Sequence, residues 1–143
     1  MMSTTATNPS DAVVRELLRK ARTIAVVGLS NNVSRPSHMV AAYLQQHGYR
    51  ILPVNPQLVG QTVLGEPCVA QLEDLHEPVD IVDVFRRTED VLPVAASAVA
   101  IGARCLWQQL GVAHVPAAEQ VQSAGLVSVM DRCLKIEHAR LMA

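Results

Sequence analysis

Residues 24–30, Ile-Ala-Val-Val-Gly-Leu-Ser, decide how this chain folds. Four apolar residues in succession are typical of a strand that is buried on both faces, as in a parallel sheet. Gly28 closes the run, and a glycine allows the backbone to turn sharply. The polar segment that follows leads to Pro36, a residue that favours the first position of a helix. This stretch therefore predicts a strand, a tight turn and a helix in succession.

Outward from this unit, segments typical of strands and of helices alternate along the chain. Further strands are predicted at 50–54, 79–85, 103–107 and 126–130, with a weak strand and a short helix within 69–75. Helices are predicted to begin after Ser10 and at Pro36, and to cover 89–101, 116–124 and 133–141. Parallel strands need crossover connections, which are right-handed and usually helical. The order predicts an α/β fold: one Rossmann-like, doubly wound domain at 10–143 with a mostly parallel five-stranded sheet, after a flexible tail at 1–9.

One position inside the predicted strands is unfavourable. Pro53 lies within the second strand and provides no N–H to the ladder, which is awkward in the middle of a sheet.

The composition restricts the classes of function. The chain has 143 residues, half of them hydrophobic, which suits one folded domain. A net charge of -1 and 3% aromatic residues provide neither the basic face nor the stacking rings of a nucleic-acid binder. The longest apolar stretch, 94–103, is roughly half of the ~20 residues that cross a bilayer. We expect no nucleic-acid or membrane partner and a cytoplasmic location, which three widely spaced cysteines also favour. The uncharged helix at 94–103 suggests self-association into a homo-oligomer.

The first loop carries the strongest site prediction. In open α/β sheets, ligands bind beyond the carboxyl ends of the strands, where the strand order reverses. A helix that follows Gly28 offers unpaired N–H groups to a phosphate. Ser30, Ser34 and Ser37 can add hydroxyl groups, and Arg35 a cation. The alternative is a capped helix with a solvated arginine.

The next two strand ends argue against a dinucleotide site. The first loop lacks the Gly-x-Gly-x-x-Gly pattern, and Asn55-Pro56 stands where NAD-binding domains have an acidic residue. Asn55 is interpreted either as a turn residue or as a hydrogen-bond partner of an adenine or ribose. Phe85 and Arg86 follow the third strand, where arginine suits phosphate. Asp83, within that strand, is interpreted as a structural carboxylate that is satisfied by loop N–H or hydroxyl groups.

The last two strand ends are less informative. Gly111 allows either close approach of a ligand or a simple turn, and Trp107 is expected to pack in the core. Cys133 lies beside charged residues at the start of a helix, which favours a thiolate, but a small buried cysteine is the preferred interpretation. No metal site and no catalytic set is predicted, because the histidines are scattered and no nucleophile motif is present.

Taken together, these strand-end segments resemble the CoA-binding family of small Rossmann-like proteins. The matching stretches are 24–30, 34–37, 53–56, 79–87, 107–111 and 130–138. The family is similar to the CoA-binding domain of succinyl-CoA synthetase alpha subunits, in which the loop after the first strand contacts the diphosphate. By similarity, the residues that would contact CoA or an acyl-CoA are Gly28, Leu29, Ser30, Ser34, Arg35, Pro36, Ser37, Asn55, Pro56, Phe85, Arg86, Gln109, Gly111, Cys133 and Lys135.

The resemblance implies a CoA-binding protein that acts as a carrier, sensor or regulator without catalysis of its own. The alternatives are a CoA-binding component of an acyl-CoA ligase-type enzyme and an NAD(P)-binding oxidoreductase. A further hypothesis is a mixed disulfide between Cys133 and the thiol of CoA.

Overall fold

The computed structural model of the protein describes residues 7–142, which form a parallel sheet between two layers of helices. The strands are β1 (Thr23–Val27), β2 (Arg50–Val54), β3 (Thr62–Val63), β4 (Glu66–Pro67), β5 (Ile81–Val84), β6 (Cys105–Gln108) and β7 (Val127–Val129). The helices are α1 (Asp11–Lys20), α2 (Pro36–Gln46), α3 (Val91–Ala100), α4 (Val115–Ser123) and α5 (Leu134–Leu141). The main sheet has the order β2-β1-β5-β6-β7, and all its pairs are parallel. The predicted fold class is confirmed.

The apolar run of β1 lies near the centre of the sheet. Ile24 pairs in register with Ile51 on one side and with Ile81 on the other. Residues 24–27 are almost completely buried, because helices cover both faces of the strand. The continuous apolar pattern is therefore explained by burial of both faces of the strand, as is usual in parallel sheets.

Pro53 is accommodated because β2 is an edge strand of the main sheet. It lies opposite Val26 of β1. Because β2 is at the edge, the missing N–H of Pro53 does not interrupt the hydrogen bonds between the central strands.

The segment after β2 differs from the prediction. The weak strand expected within 69–75 is reduced to a single bridge between Val54 and Val69. A small antiparallel hairpin, β3-β4, and a 3-10 turn at Pro56–Leu58 occupy the connection, and the short helix expected within 69–75 is present as the 3-10 turn Leu72–Asp74. Prolines at 53, 56 and 67 restrict longer pairing here, since each removes an N–H donor.

The core consists of one apolar layer on each face of the sheet. On one face, α1, α2 and α5 pack around Trp107, which is fully buried and whose Nε1 donates to the carbonyl oxygen of Arg132 at 2.9 Å. On the other face, α3 and α4 pack through small side chains such as Ala95 and Ala117. The prediction that Trp107 belongs to the core is confirmed. Among residues 7–142, no helix combines the length and the apolar character needed to cross a membrane.

Asn8 lies within the segment that the sequence predicts to be a flexible tail. Asn8 binds the backbone of Met130 twice, donating from Nδ2 to its carbonyl oxygen at 2.9 Å and accepting its N–H at 2.7 Å. Asn8 is therefore attached to the end of β7, although the sequence placed it in the flexible part. Residues 1–6 of that predicted tail lie outside the described residues.

Candidate functional site

The strand order reverses between β1 and β5, and a cleft opens there at the carboxyl edge of the sheet. The chain runs from β1 to β2 on one side and then crosses to β5 on the other. The loops after β1 and β5 therefore diverge, as expected at a switch point. The cleft has a volume of about 320 Å³ and is lined by Gly28, Ser30, Arg35, Pro36, Ser37 and Phe85.

Gly28 forms the floor of this cleft and cannot be replaced without a clash. Its φ is +88°, and a Cβ placed on it would lie 2.2 Å from the carbonyl oxygen of Phe85. Its N–H donates to the carbonyl oxygen of Val54 at 2.8 Å, which ties the first loop to β2. The glycine thus brings the backbones of the β1 and β5 loops into contact.

The first loop is organised by its own serine and asparagine side chains. The Ser30 N–H donates to Ser37 Oγ at 3.0 Å, and Ser30 Oγ accepts the Asn32 N–H at 3.0 Å. Ser34 is turned towards Asn32, whose Oδ1 accepts from the Ser34 N–H at 3.0 Å and from its hydroxyl at 2.8 Å. This leaves Ser30 and Ser37, and not Ser34, at the cleft.

Helix α2 begins at the cleft with Arg35 as N-cap and Pro36 in the first turn. The Arg35 side chain makes no capping hydrogen bond. Within residues 7–142, the Ser37 N–H has no protein acceptor, as is usual in the first turn of a helix. The unpaired N–H and the positive end of the helix dipole make this edge suitable for an anion.

Two arginines that carry no ion pair among the described residues lie at the two sides of the Gly28–Phe85 contact. Arg35 lines the cleft, and Arg86 lines a second cavity of about 150 Å³ that also contains Pro56. By contrast, Arg87 is an exposed rim residue that pairs with Asp90 at 3.2 Å. The two cavities therefore each contain one arginine without an ion pair, Arg35 in the first and Arg86 in the second.

Asn55 has both ends of its side chain occupied by protein groups. Its Nδ2 donates to the carbonyl oxygen of Leu29 at 3.1 Å, and its Oδ1 accepts the Gln57 N–H at 3.0 Å. Leu29 itself is fully buried in the core. Asn55 therefore has the geometry of a turn residue, one of the two interpretations of the sequence. Its side chain also connects the first loop to the second.

Asp83 is completely buried, and its partner is a side chain from the next strand end. Gln109 Nε2 donates to Asp83 Oδ1 at 2.6 Å, whereas Oδ2 has no hydrogen-bond partner. The prediction that loop N–H or hydroxyl groups would bind Asp83 is thus wrong. The partner is the side-chain amide of Gln109, which is 97% buried beside the carboxylate. Burial raises the pKa of Asp83 to about 7, and the bond from Gln109 offsets only part of this effect.

The remaining predicted residues line neither cavity. Gly111 donates its N–H to Asp131 Oδ1 at 2.7 Å, which connects the loop after β6 to the segment after β7. Cys133 is half-buried at the N-cap of α5 and packs against the core, and Lys135 Nζ lies 5.5 Å from the ring centroid of Tyr43. These residues surround the carboxyl edge of β6 and β7, away from the β1–β5 cleft.

The second cavity adds residues that the sequence analysis missed. Gln71 and Ser97 line it together with Arg86. Ser97 lies on α3, the helix that follows β5, so the strand-end rule could have indicated this element. Gln71 lies in the irregular connection, where no periodicity pointed to it.

A larger cavity lies at the opposite, amino edge of the sheet. It has a volume of about 730 Å³ and is lined by α1, the end of α3 and the α4–β7 connection. Its walls are mostly apolar, so it does not suit a phosphate. We therefore place the candidate site at the smaller cleft.

The fold and the cleft define a small Rossmann-like α/β protein with a cleft at the switch point. The sequence of residues 22–139 matches the CoA binding domain family, and the chain belongs to this family. The uncharacterized protein YneT of Bacillus subtilis (strain 168) is 40% identical over 132 residues, covering 92% of this chain and 96% of YneT.

Solved structures agree with this assignment. The structure of cell-free ID.343 from Thermus thermophilus has a TM-score of 0.90 and 43% identity, and the match covers 93% of this chain and 99% of that one. A dinucleotide-forming acetyl-coenzyme A synthetase 1 of Ca. Korarchaeum cryptofilum, in complex with phosphate and ADP, has a TM-score of 0.68 at 20% identity. That match covers 82% of this chain but 28% of the synthetase, and it concerns the fold alone.

Proposed function

We propose that this protein binds coenzyme A or an acyl-CoA at the β1–β5 cleft and serves as a carrier, sensor or regulator. The observation that carries the proposal is the meeting of the Gly28 turn, the start of α2 and the unpaired Arg35 in one cleft. Membership of the CoA binding domain family supports CoA rather than NAD(P) as the ligand.

The diphosphate of CoA fits the first cavity chemically. A diphosphate requires several N–H or O–H donors and a compensating positive charge. The Ser37 N–H, the hydroxyl groups of Ser30 and Ser37, and the Arg35 guanidinium provide this set. Gly28, without a side chain, lets the Phe85 backbone lie against it, which holds the two loops of the cleft together.

The second cavity would receive another part of the same nucleotide. Its walls combine apolar side chains, among them Val54 and Leu72, with the guanidinium of Arg86. Apolar walls suit a base, and an arginine suits a further phosphate such as the one on the CoA ribose. Val27 and Arg86 line the second cavity and are the chain neighbours of Gly28 and Phe85 in the first, so one extended nucleotide would reach both.

The lining of the cleft supports a non-enzymatic role. None of its six lining residues is His, Cys, Asp or Glu, so no general base accompanies the two serine hydroxyls. The alternative, a CoA-binding component of a ligase-type enzyme, is favoured only by the fold similarity to the synthetase. ATP turnover that depends on CoA, with this chain alone or with an added ligase subunit, would favour the alternative.

We expect Arg35→Ala to weaken CoA binding about tenfold, because an exposed arginine–phosphate contact contributes roughly 1.4 kcal/mol. Isothermal titration with CoA, acetyl-CoA, NAD and NADP measures the effect and the preference for CoA. The matched control is Arg87→Ala, which removes a nearby arginine that already has an acidic partner. Its CoA affinity should stay within about twofold of the wild type.

Two results would contradict this proposal. One is binding of NAD but not of CoA by the wild-type protein. The other is an equal loss of CoA affinity in Arg35→Ala and Arg87→Ala, since the cleft would then contribute nothing specific.

A further inference from the structure

The carboxyl group of Asp83 lies buried behind the floor of the β1–β5 cleft. Asp83 pairs in register with Val26, and the cleft residues Gly28 and Phe85 each follow two residues later along the chain. Two residues of an extended strand span about 6.6 Å. The backbone of Asp83 is therefore only this step away from the residues that line the cleft.

The Asp83 side chain points to the same side of the sheet as helix α2. Ile81 belongs to the core cluster that α1, α2 and α5 cover, whereas Val82 and Val84 belong to the cluster on the other face. Side chains alternate along a strand, so the Asp83 carboxyl group faces α1, α2 and α5. The start of α2, where the cleft suits an anion, thus lies on the same side of the sheet as this carboxyl group.

The surroundings of Asp83 favour its neutral form. The residue is completely buried, and its one hydrogen-bond partner among the described residues is Gln109, which donates from Nε2 to Oδ1 at 2.6 Å. Oδ2 is buried without a partner. An ionised carboxylate needs several donors when it is removed from water, and here it would have one. Burial accordingly raises the pKa of Asp83 to about 7, so the group changes its charge near neutral pH.

Within residues 7–142, the elements on two sides of Asp83 add no charge that would stabilise its carboxylate. Its partners in register are the apolar side chains of Val26 on β1 and Trp107 on β6. The charged side chains of α1 are exposed, and α2 has the half-buried His38 as its one ionisable group besides Tyr43. The desolvation of Asp83 is therefore offset chiefly by the bond from Gln109.

Helix α5 and the rest of this core contribute groups that are paired or neutral. Glu137 pairs with Arg132 and Arg140 at 3.3 and 2.7 Å, and Lys135 Nζ lies over an aromatic ring. Burial lowers the pKa of His138, which favours its neutral form. The remaining titratable groups of the cluster are thiols and phenols, which are mostly neutral at pH 7: Tyr43, Tyr49, Cys68, Cys105 and Cys133. The charge behind the cleft therefore changes chiefly with Asp83.

A diphosphate in the cleft would repel an ionised Asp83. A phosphate in contact with the floor of the cleft would lie roughly 10 Å from the carboxyl group, given the strand step and one van der Waals contact. At an effective dielectric constant of about 20, two like unit charges at this distance change a binding constant roughly tenfold. The neutral carboxyl group has no such effect, so the anion binds better when Asp83 is protonated.

We infer that CoA binding at the β1–β5 cleft is coupled to protonation of Asp83, so that the nucleotide is taken up together with a proton and released as the pH rises. The inference rests on the proposed CoA site. The coupling is reciprocal, because a proton that strengthens CoA binding must itself be bound more tightly in the complex. A carrier or sensor with this property responds to pH as well as to CoA.

The test is isothermal titration of the full-length protein with CoA from pH 6 to pH 8.5, in parallel with Asp83→Asn. The amide is neutral at every pH, and the 3′-phosphate of CoA, which titrates near pH 6, affects both proteins equally. The ratio of the wild-type to the variant dissociation constant should therefore increase about sevenfold over this range. In two buffers of different ionisation enthalpy at pH 7.5, the wild type should take up about half a proton more per CoA than the variant.

Two further variants separate this coupling from general effects. Glu89→Gln removes an exposed carboxylate at the same edge of the sheet and should keep the wild-type pH profile and proton uptake. Gln109→Leu removes the donor to Asp83 Oδ1, so Asp83 should keep its proton to a higher pH, and the decline in CoA affinity should move to higher pH with it. Gln109→Leu replaces the comparison if Asp83→Asn is not folded by circular dichroism.

The outcomes distinguish the inference from the proposed function. Absence of CoA binding at every pH overturns the proposed function and the inference with it. Binding of CoA with a constant ratio of dissociation constants and equal proton uptake in wild type and Asp83→Asn overturns the inference alone. An equal change in Glu89→Gln would also overturn it, because the effect would then come from net charge.

Discussion

Replacing Gly28 with alanine is expected to lower the free energy of unfolding by about 3 kcal/mol or more and to abolish measurable CoA binding. Two effects add at this position. The φ of +88° costs an L-residue roughly 1–2 kcal/mol, and the new Cβ would lie 2.2 Å from the Phe85 carbonyl oxygen. Relief of that clash must separate the β1 and β5 loops, which together form the cleft. Urea unfolding and isothermal titration with CoA measure the two losses.

Gly125→Ala is the matched control for backbone strain. Its φ is +91°, but nothing lies within 4 Å of a Cβ placed there. It should therefore lose only about 1–2 kcal/mol and keep full CoA affinity. Equal destabilisation of the two variants, or normal CoA binding by folded Gly28→Ala, would show that the contact with Phe85 does not shape the site.

A fall in stability as the pH rises from about 4 to about 7 is the second large effect that we expect, with Asp83 as its source. The pKa of Asp83 is about 7 in the folded protein and 3.8 for the unperturbed group. Between these values the folded state holds a proton that the unfolded state has released, so each rise in pH disfavours folding. The full shift corresponds to roughly 4 kcal/mol.

Asp83→Asn should remove most of this dependence. The amide is neutral at every pH and its Oδ1 can still accept the bond from Gln109, so the variant should unfold at higher urea than the wild type at pH 8. Urea unfolding from pH 4 to pH 8 measures the difference between the two proteins. Glu89→Gln, an exposed carboxylate, should follow the wild-type profile.

The titration of His138 changes stability in the opposite direction. This histidine is present in the wild type and in both variants. Its pKa is lowered by burial, so its contribution to stability increases as the pH rises towards 6.5. The comparison of wild type and variant cancels this contribution. A parallel decline of wild type and Asp83→Asn above pH 5 would contradict the assignment to Asp83.

The features that could be predicted are those that depend on residues close to one another in the sequence. The apolar run before Gly28 and the position of Pro36 determine a strand, a turn and a helix, and five such strands were enough for the sheet. The cleft residues from the first loop followed from the same local pattern. Only Phe85, which follows β5, had to be brought to them by the topology.

The features that escaped prediction depend on contacts between distant residues. Gln109 meets Asp83 because their strands are neighbours and both side chains are buried, and no local pattern specifies that pairing. The contact between His47 and His138 likewise arises from the packing of α2 on α5. The hairpin β3-β4 was missed because two-residue strands carry no periodicity.

The hydrogen bonds of Asn55 affect how ordered the cleft is before a ligand binds. Since its side chain connects the turn after β2 to Leu29, the β1 loop is held from a neighbouring loop as well as from its own strand. Much of the ordering entropy of this loop is then lost when the chain folds, before any ligand arrives. The cleft is therefore preorganised for a ligand at this edge. A change in the turn at residues 55–57 would alter the affinity for a ligand that the turn does not contact.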